Sequence, residues 1–316
     1  MTESRTGGGG ASNAPLLQFR DIPLLMGLAA LSVPAWLIPM GYWQRLSGQL
    51  AAVISPLLRQ RSPQILAAMD NAGDTAGVLV YRQWIALRIE EQLQYLREHR
   101  PGGWRPELAI AGAQHLDQAL SLGAGAILWV APQVMASLLV KRGLSEAGYP
   151  LEHLSREFHG PSDSRFGRRM LNPIANHAED RYLANRHAMQ AGHELKALRP
   201  LVRALKQGRI VSISCASYGQ RLAPLSVLGG ELPVATGAAS LAVSSGAALL
   251  PVLLKREGAA SFRIQIEAPL QARASANRAS MIDSLLSAYA QILQQQLSTQ
   301  AAQFADWRLL RPTGAP

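Results

Sequence analysis

Cysteine is almost absent. The 316-residue chain holds one, Cys215, which excludes an intramolecular disulfide and any zinc or iron–sulfur site built on several thiolates. Its setting, the apolar run RIVSISC, marks a buried structural thiol rather than a reactive one. Charge is also sparse, with 16% Asp, Glu, Lys and Arg, and aromatic residues make up 6%. Lysine occurs only at Lys141, Lys196, Lys206 and Lys255, so the basic side chains are mostly arginines, the better bidentate partners for phosphate and carboxylate. Several catalytic signatures are missing: no GxGxxG followed by an acid, no Walker loop, no GxSxG elbow and no HExxH. The seven histidines are scattered. His153 and His159 with Asp163 are the one set that chain order would gather, and a hydrogen-bonded loop histidine is the plainer reading.

The excess is of one sign. Net charge is +10 and the isoelectric point about 10.3, a balance that favours an anionic partner: nucleic acid, an anionic bilayer face or a phosphorylated substrate. Nucleic acid is set aside, because no basic–aromatic interleaving and no recognised binding module is present. Hydrophobic content of 48% supports a full core. A mean hydropathy of +0.04 suits a protein with one greasy surface or one membrane segment.

Chain order divides the sequence into four parts. Residues 1–20 read as a disordered tail, Gly/Ser-rich at its start. Residues 21–61 read as a membrane anchor and first helix. From Ile22 to Trp43 no residue is charged, a run long enough to span a bilayer. Pro23, Pro34 and Pro39 argue against a straight helix throughout it. Arg45, Arg59 and Arg61 follow and place the bulk of the protein on the cytoplasmic face if the run spans; if it only dips in, it is an interfacial anchor. Residues 62–310 form the main domain, and 311–316 a short tail. Helical spacing predicts helices over 44–60 and 75–99. Short apolar strands near 108–112, 126–131, 150–155, 209–215, 248–254 and 262–268 then alternate with helices over 133–146, 176–190, 196–207, 235–245 and 279–304. That alternation predicts an α/β fold with a mostly parallel central sheet flanked by helices.

Two polar segments stand out. LSREFHGPSDSRFGRRMLNP begins at the end of a predicted strand and carries Arg156, Arg165, Arg168 and Arg169 with His159 and Asp163. Asp163 and Ser164 are placed to cap a helix, and a helix N-terminus among guanidinium groups suits phosphate or carboxylate. A solvated basic loop is the competing reading. SCASYGQRLAPLSVLGGELPVATG follows the strand ending at Cys215. Its ATG, with Thr236, opens a helix whose free amides also face an anion.

The order of segments resembles the lipid A biosynthesis acyltransferase family, the lauroyl/myristoyl transferases, within the wider glycerolipid acyltransferase superfamily. The resemblance rests on LSVPAWLIPMGYWQRL, the GAILWV strand, Arg156 after the next strand, LNP at 171–173, LVRALKQGRIVSISCASYGQR, and SVLGGELPVATGAASLAVSSGAALLPVLLKREG. It covers about residues 22–310. It implies transfer of a fatty acyl group from an acyl-carrier protein or coenzyme A thioester to a lipid or metabolite acceptor, without a cofactor, at the cytoplasmic face of a bacterial inner membrane.

One departure is decisive for the chemistry. The family's general base is a histidine with an acid five positions on, directly after the first strand of the block; the acid orients the imidazole. In GAILWVAPQVMASL, Pro132 stands at the histidine position and Ser137 at the acid position. No histidine of the chain has Asp or Glu five residues later. Two readings stay open. In one, the active site is rebuilt, with His159 as base, oriented by Asp163 or a nearby backbone carbonyl, and with Arg156, joined by Arg165, holding the phosphate of an acyl donor or acceptor. In the other, the protein is an inactive relative that binds an acyl lipid or an acyl-carrier partner at the membrane.

Overall fold

The computed structural model describes residues 14–73, 75–156, 160–189, 194–273 and 277–312. The first four helices are α1 (Asp21–Leu37), α2 (Trp43–Arg59), α3 (Pro63–Asp70) and α4 (Gly77–Glu98). α1 carries Pro34 inside it and stops at Ile38, whose amide bonds the Pro34 carbonyl at 3.0 Å, before Pro39. The prolines therefore shape the apolar run into one helix of 17 residues and a separate turn. α1, α2 and α3 all pack on α4. The docking of α1 is specific: Arg97 Nη1 donates to the Trp36 carbonyl at 2.7 Å, and Trp36 Nε1 donates to the Leu96 carbonyl at 3.1 Å. Among the described residues, no helix is long and apolar enough to cross a membrane. Many large apolar side chains of α1 and α2 nevertheless face outward, among them Ile22, Leu25, Met26, Val33, Leu37, Val53 and Leu57.

The α/β part runs β1 (Glu107–Ala111), α5 (Ala113–Ser121), β2 (Ala126–Val130), α6 (Ala136–Glu146), β3 (Leu151–Arg156), α7 (Asn172–Asp180), β4 (Asn185–Met189), α8 (Glu194–Lys206), β5 (Ile210–Ser214), β6 (Leu222–Val227), β7 (Gly230–Ala235), α9 (Gly237–Ser245), β8 (Ala248–Arg256), β9 (Ser261–Ile266), α10 (Arg278–Leu297) and β10 (Arg311–Pro312). Seven strands form one sheet in the order β1-β9-β8-β2-β5-β3-β4. The five from β8 to β4 are parallel, and β9 turns antiparallel to β8. β2 lies at the centre with every residue buried, which is why AILWV reads as an uninterrupted apolar run. The crossovers β2–α6–β3 and β3–α7–β4 run one way along the sheet, while β4–α8–β5 and β5–α9–β8 run the other. Right-handed crossovers of opposite direction place α6 and α7 on one face and α8 and α9 on the other. α10 joins α9 and stacks Tyr289 on Trp129 of β2, with ring centroids 3.9 Å apart.

One expectation is corrected, and two features go beyond what the sequence pattern assigned. The segment assigned to a helix over 176–190 is a helix only to Asp180 and then the edge strand β4. β4 is polar (NRHAM), so it lacks the apolar run that marks a buried strand. Residues 222–235 form the β6–β7 hairpin, which joins β10 in a second sheet. Its two-residue turn, Leu228-Gly229, has φ values of 51° and 69°, the left-handed pair that hairpin twist favours. Finally, the tail expected over residues 1–20 is held from Pro15 on, where the carbonyls of Pro15 and Leu16 accept from the amides of Arg165 and Phe166 at 2.9 and 3.0 Å.

Candidate functional site

The carboxyl ends of parallel strands are where an open α/β sheet places its chemistry. Here the end of β2 is sealed. Pro132 and Gln133 are buried. The Pro132 carbonyl accepts from the Ala305 amide and the Val134 amide donates to the Gln303 carbonyl, both at 2.8 Å. The Gln133 amide group donates to the Leu254 carbonyl at 3.0 Å and accepts from the Leu254 amide at 2.8 Å. A C-terminal strap, residues 301–306, thus lies across the junction where the resemblance places a histidine. α6 starts only at Ala136. Met135 before it holds φ 70°, a conformation that β-carbon crowding disfavours by about 1 kcal/mol or more. Glu91 of α4 pins it by accepting its amide at 2.7 Å.

Ser137, at the position of the missing acid, belongs to a buried polar network. Its hydroxyl donates to Glu179 Oε1 at 2.7 Å and accepts from Lys141 Nζ at 2.8 Å. Lys141 donates at 2.6 Å, Arg186 at 3.1 Å and the Tyr95 hydroxyl at 2.8 Å to the same carboxylate. Lys141 and Glu179 are 3% and 0% exposed. Burial pulls the Lys141 ammonium below its ordinary pKa, and the Glu179 charge beside it works the other way. Lys141 Nζ directs its protons at both the Ser137 hydroxyl and the Glu179 carboxylate, so in this arrangement it acts on Ser137 as a donor and not as a base. The network ties α4, α6, α7 and β4 together.

The arginine-rich segment also resolves. Ser164 caps the helical turn that leads into α7, accepting from the Gly167 amide at 2.8 Å. The anion near this cap is internal: the Asp21 carboxylate accepts from Ser162 Oγ at 2.5 Å and from Ser164 Oγ at 2.6 Å. Burial opposes the charge of Asp21, but the two hydroxyls, the Gln18 amide and the Arg20 charge together outweigh it and hold the carboxyl below its ordinary pKa. Asp163 is exposed and pairs with Arg20 at 3.1 Å. Arg165 and Arg169 are exposed, and Arg168 is half-buried on a π-helical turn over Gly167–Leu171. His159 lies outside the described residues, so its relation to Asp163 is not part of the structure. Thr236 precedes α9 without capping it; its hydroxyl reaches the Arg221 carbonyl at 3.5 Å. The expected site residues therefore do not converge among the described residues.

Arg156 does reach the carboxyl edge. It ends β3 and lies over the Tyr218 ring beyond β5, 5.4 Å from its centroid. Its charge acts there on a residue that sequence reasoning passed over, Asp306, delivered by the strap that seals β2. Burial pushes the Asp306 carboxyl up to about 6, while Arg88 of α4 and Arg156 pull it down. The Asp306 charge in turn acts on Cys215, the residue after β5. Among the described residues the Asp306 side chain makes no hydrogen bond or ion pair, although two guanidinium groups act on it. Cys215 itself is buried against Tyr289, and burial raises its thiol pKa far above the ordinary range, the inert thiol its sequence setting predicts. Among the described residues, no three His, Cys, Asp or Glu side chains are grouped to hold a metal ion.

A cavity of about 460 Å³ lies on the other side of the strap. Its walls come from α2 (Gln44, Ser47), α3 (Met69), α4 (Gln83, Leu87, Glu90), the end of β8 (Arg256) and residues 298–303. Burial raises the Glu90 carboxyl pKa, and its partner Arg256 counters that effect.

Among solved structures, the chain is similar to the 1-acyl-sn-glycerophosphate (LPA) acyltransferase PlsC from Thermotoga maritima. Sequence identity is 14% over 87% of this chain and 98% of that one, with a TM-score of 0.38. No protein-family model matches the sequence, and no curated protein matches it significantly.

Proposed function

We propose that the protein is an acyltransferase-like protein of the membrane surface whose acid–base group has moved from the β2 junction to Asp306. The observation that carries this reading is the unpartnered carboxylate of Asp306 at the sheet's carboxyl edge, with Arg88 and Arg156 acting on it. Ionisable groups whose pKa is shifted by burial and nearby charge cluster at functional sites. The Asp306 carboxylate takes the proton of an acceptor hydroxyl, and the hydroxyl oxygen attacks the carbonyl carbon of an acyl thioester. The two guanidinium groups stabilise the oxyanion, and the thiolate leaves. A carboxylate titrating near 6 is ionised at neutral pH yet more basic than an ordinary one.

The resemblance supplies the donor class, a thioester of an acyl-carrier protein or coenzyme A, and a lipid as acceptor. A chain of net charge +10 suits an acidic carrier and an anionic bilayer. The outward apolar side chains of α1 and α2, with Arg45, Arg59 and Arg61 exposed alongside, support docking in the interface plane of a bacterial inner membrane on its cytoplasmic face.

A second reading has its own observation. The sealed β2 junction and the Ser137 hydroxyl held by Lys141 and Glu179 fit a relative that binds acyl lipid without transferring it. One assay separates the two: transfer from a mass-labelled acyl-carrier thioester into total bacterial lipid. Transfer by wild type, none by Asp306→Asn and transfer by His159→Ala support the proposed site. Loss in His159→Ala alone moves the base to His159. No transfer by wild type, with the thioester bound, favours the binding protein.

A further inference from the structure

We infer that the outer face of α8 is the docking surface for an acidic protein, the carrier that brings the acyl thioester. The identity of that partner rests on the acyl-transfer reading; the surface itself does not. α8 is two-sided. Leu201, Ala204 and Leu205 are buried, while Arg199, Arg203 and Lys206 are exposed. Helical register puts these three cations within about 60° of one another, in a stripe about 10 Å long. The same register sets Glu194, the acid of this helix, about 140° from Arg199 and off the stripe. Arg199, Arg203 and Lys206 form no ion pair among the described residues, unlike Arg209 just beyond, which donates to Glu152 at 2.9 Å. α9, packed beside α8, carries no charged residue. Cations gathered on one face without internal partners suit a surface of opposite sign.

A bilayer, a nucleic acid and an acidic protein all carry the required charge, and placement selects among them. α8 and α9 lie across the sheet from α7, on which α4 packs, with α1 and α2 on α4. The exposed apolar side chains that suit a bilayer are on α1 and α2, whereas no large apolar side chain of α8 or α9 is exposed among the described residues. The stripe therefore faces away from the proposed membrane side. No aromatic residue stands between Tyr182 and Tyr218 to stack a base, which disfavours nucleic acid. An acidic protein fits, and its position serves the chemistry. α8 packs on β3, β4 and β5, and β3 ends in Arg156. Because α8 follows β4, its first turn lies at the carboxyl edge of the sheet. A carrier seated on α8 stands beside the edge that holds Arg156, while a bilayer meets α1 and α2 on the opposite side. Donor and acceptor then approach one edge from two faces.

The test uses the full chain with three probes: an acyl-carrier protein, phosphatidylglycerol vesicles and duplex DNA. Arg199→Ala/Arg203→Ala/Lys206→Ala is compared with Arg45→Ala/Arg59→Ala/Arg61→Ala, which removes the same charge on the α2 side. All six residues are exposed, and alanine suits a helix, so both variants keep the fold. Fluorescence anisotropy at physiological ionic strength is expected to find carrier binding weakened about tenfold or more in the α8 variant and at most about twofold in the other. Vesicle flotation weakens in the α2 variant alone. Wild type is also assayed for transfer from an acyl-coenzyme A thioester. Carrier binding that depends on α8, with no transfer from either thioester, keeps the surface and rejects the acyl-transfer reading. Transfer from coenzyme A by a wild type that binds no carrier does the reverse. The inference is overturned if wild type binds no carrier, if both variants lose it equally, or if the α8 variant loses vesicles or DNA and keeps the carrier.

Discussion

Asp306→Asn removes a charge while keeping the side chain's shape. The Asp306 carboxyl moves from an ordinary value of 3.8 to about 6. Each unit corresponds to about 1.4 kcal/mol, so the upper bound on the cost of holding this anion is about 3 kcal/mol. The side chain is only half-buried, and solvent screening reduces that figure to about 1–2 kcal/mol. The native state binds the proton more tightly than the unfolded state does. Below 3.8 both states are protonated and nothing is lost; stability then falls as pH rises from 3.8 to about 6, and the full cost persists above that. Asparagine has no such cost. Urea unfolding at pH 8 is therefore expected to find Asp306→Asn more stable than wild type by about 1–2 kcal/mol, with the gap narrowing by pH 5. A group kept for chemistry behaves in this way, at the expense of stability. An Asn variant less stable than wild type at pH 8 would refute the reasoning, because Asp306 would then be a structural partner of Arg88 and Arg156.

Four further outcomes are expected. Ser137→Ala leaves acyl transfer unchanged, since its hydroxyl is held by Lys141 and Glu179. Lys141→Met lowers stability in urea by about 3 kcal/mol, because it strips a cation from a buried carboxylate; loss of transfer in Ser137→Ala with stability intact would contradict the structural role. Val53→Glu/Leu57→Glu, on the exposed side of α2, weakens partition onto anionic vesicles by about tenfold or more without altering the circular dichroism spectrum; unchanged partition would remove α2 from the membrane face. Asp21→Ala speeds hydrogen exchange at the Arg165 and Phe166 amides, which bond residues 15 and 16 just before it. With its carboxyl held below 3.8, the contribution of Asp21 is present at neutral pH and is lost only as pH falls through that lowered value. Exchange at those amides that does not respond to the substitution would show that Asp21 does not hold the segment.

The parallel core was legible because strands buried on both faces leave continuous apolar runs: AILWV, IVSIS and ALLPVLL lie where the pattern places them. The edge strand β4 and the β6–β7 hairpin escaped, one because it is polar, the other because its turn carries Leu228 where asparagine or aspartate would signal it. Of the site, Arg156 could be read as a charged residue at a strand's end. The Asp21 carboxylate beside the Ser164 cap could not, because its approach spans 143 residues of chain. Asp306 is a lone acid between phenylalanine and tryptophan in QFADWR, and local pattern marks it as the edge of an amphipathic helix. Its significance comes from the strap folding back onto Pro132 and Gln133, a contact between positions 170 residues apart.

The most direct test is the pH dependence of acyl transfer in wild type and His159→Ala. A histidine and a carboxylate raised to about 6 titrate close together, so the variant is what separates them. The account predicts that activity rises through about pH 6 in both proteins, with the same midpoint, and is absent in Asp306→Asn at every pH. A rise that disappears with His159, or transfer that persists in Asp306→Asn, would contradict it.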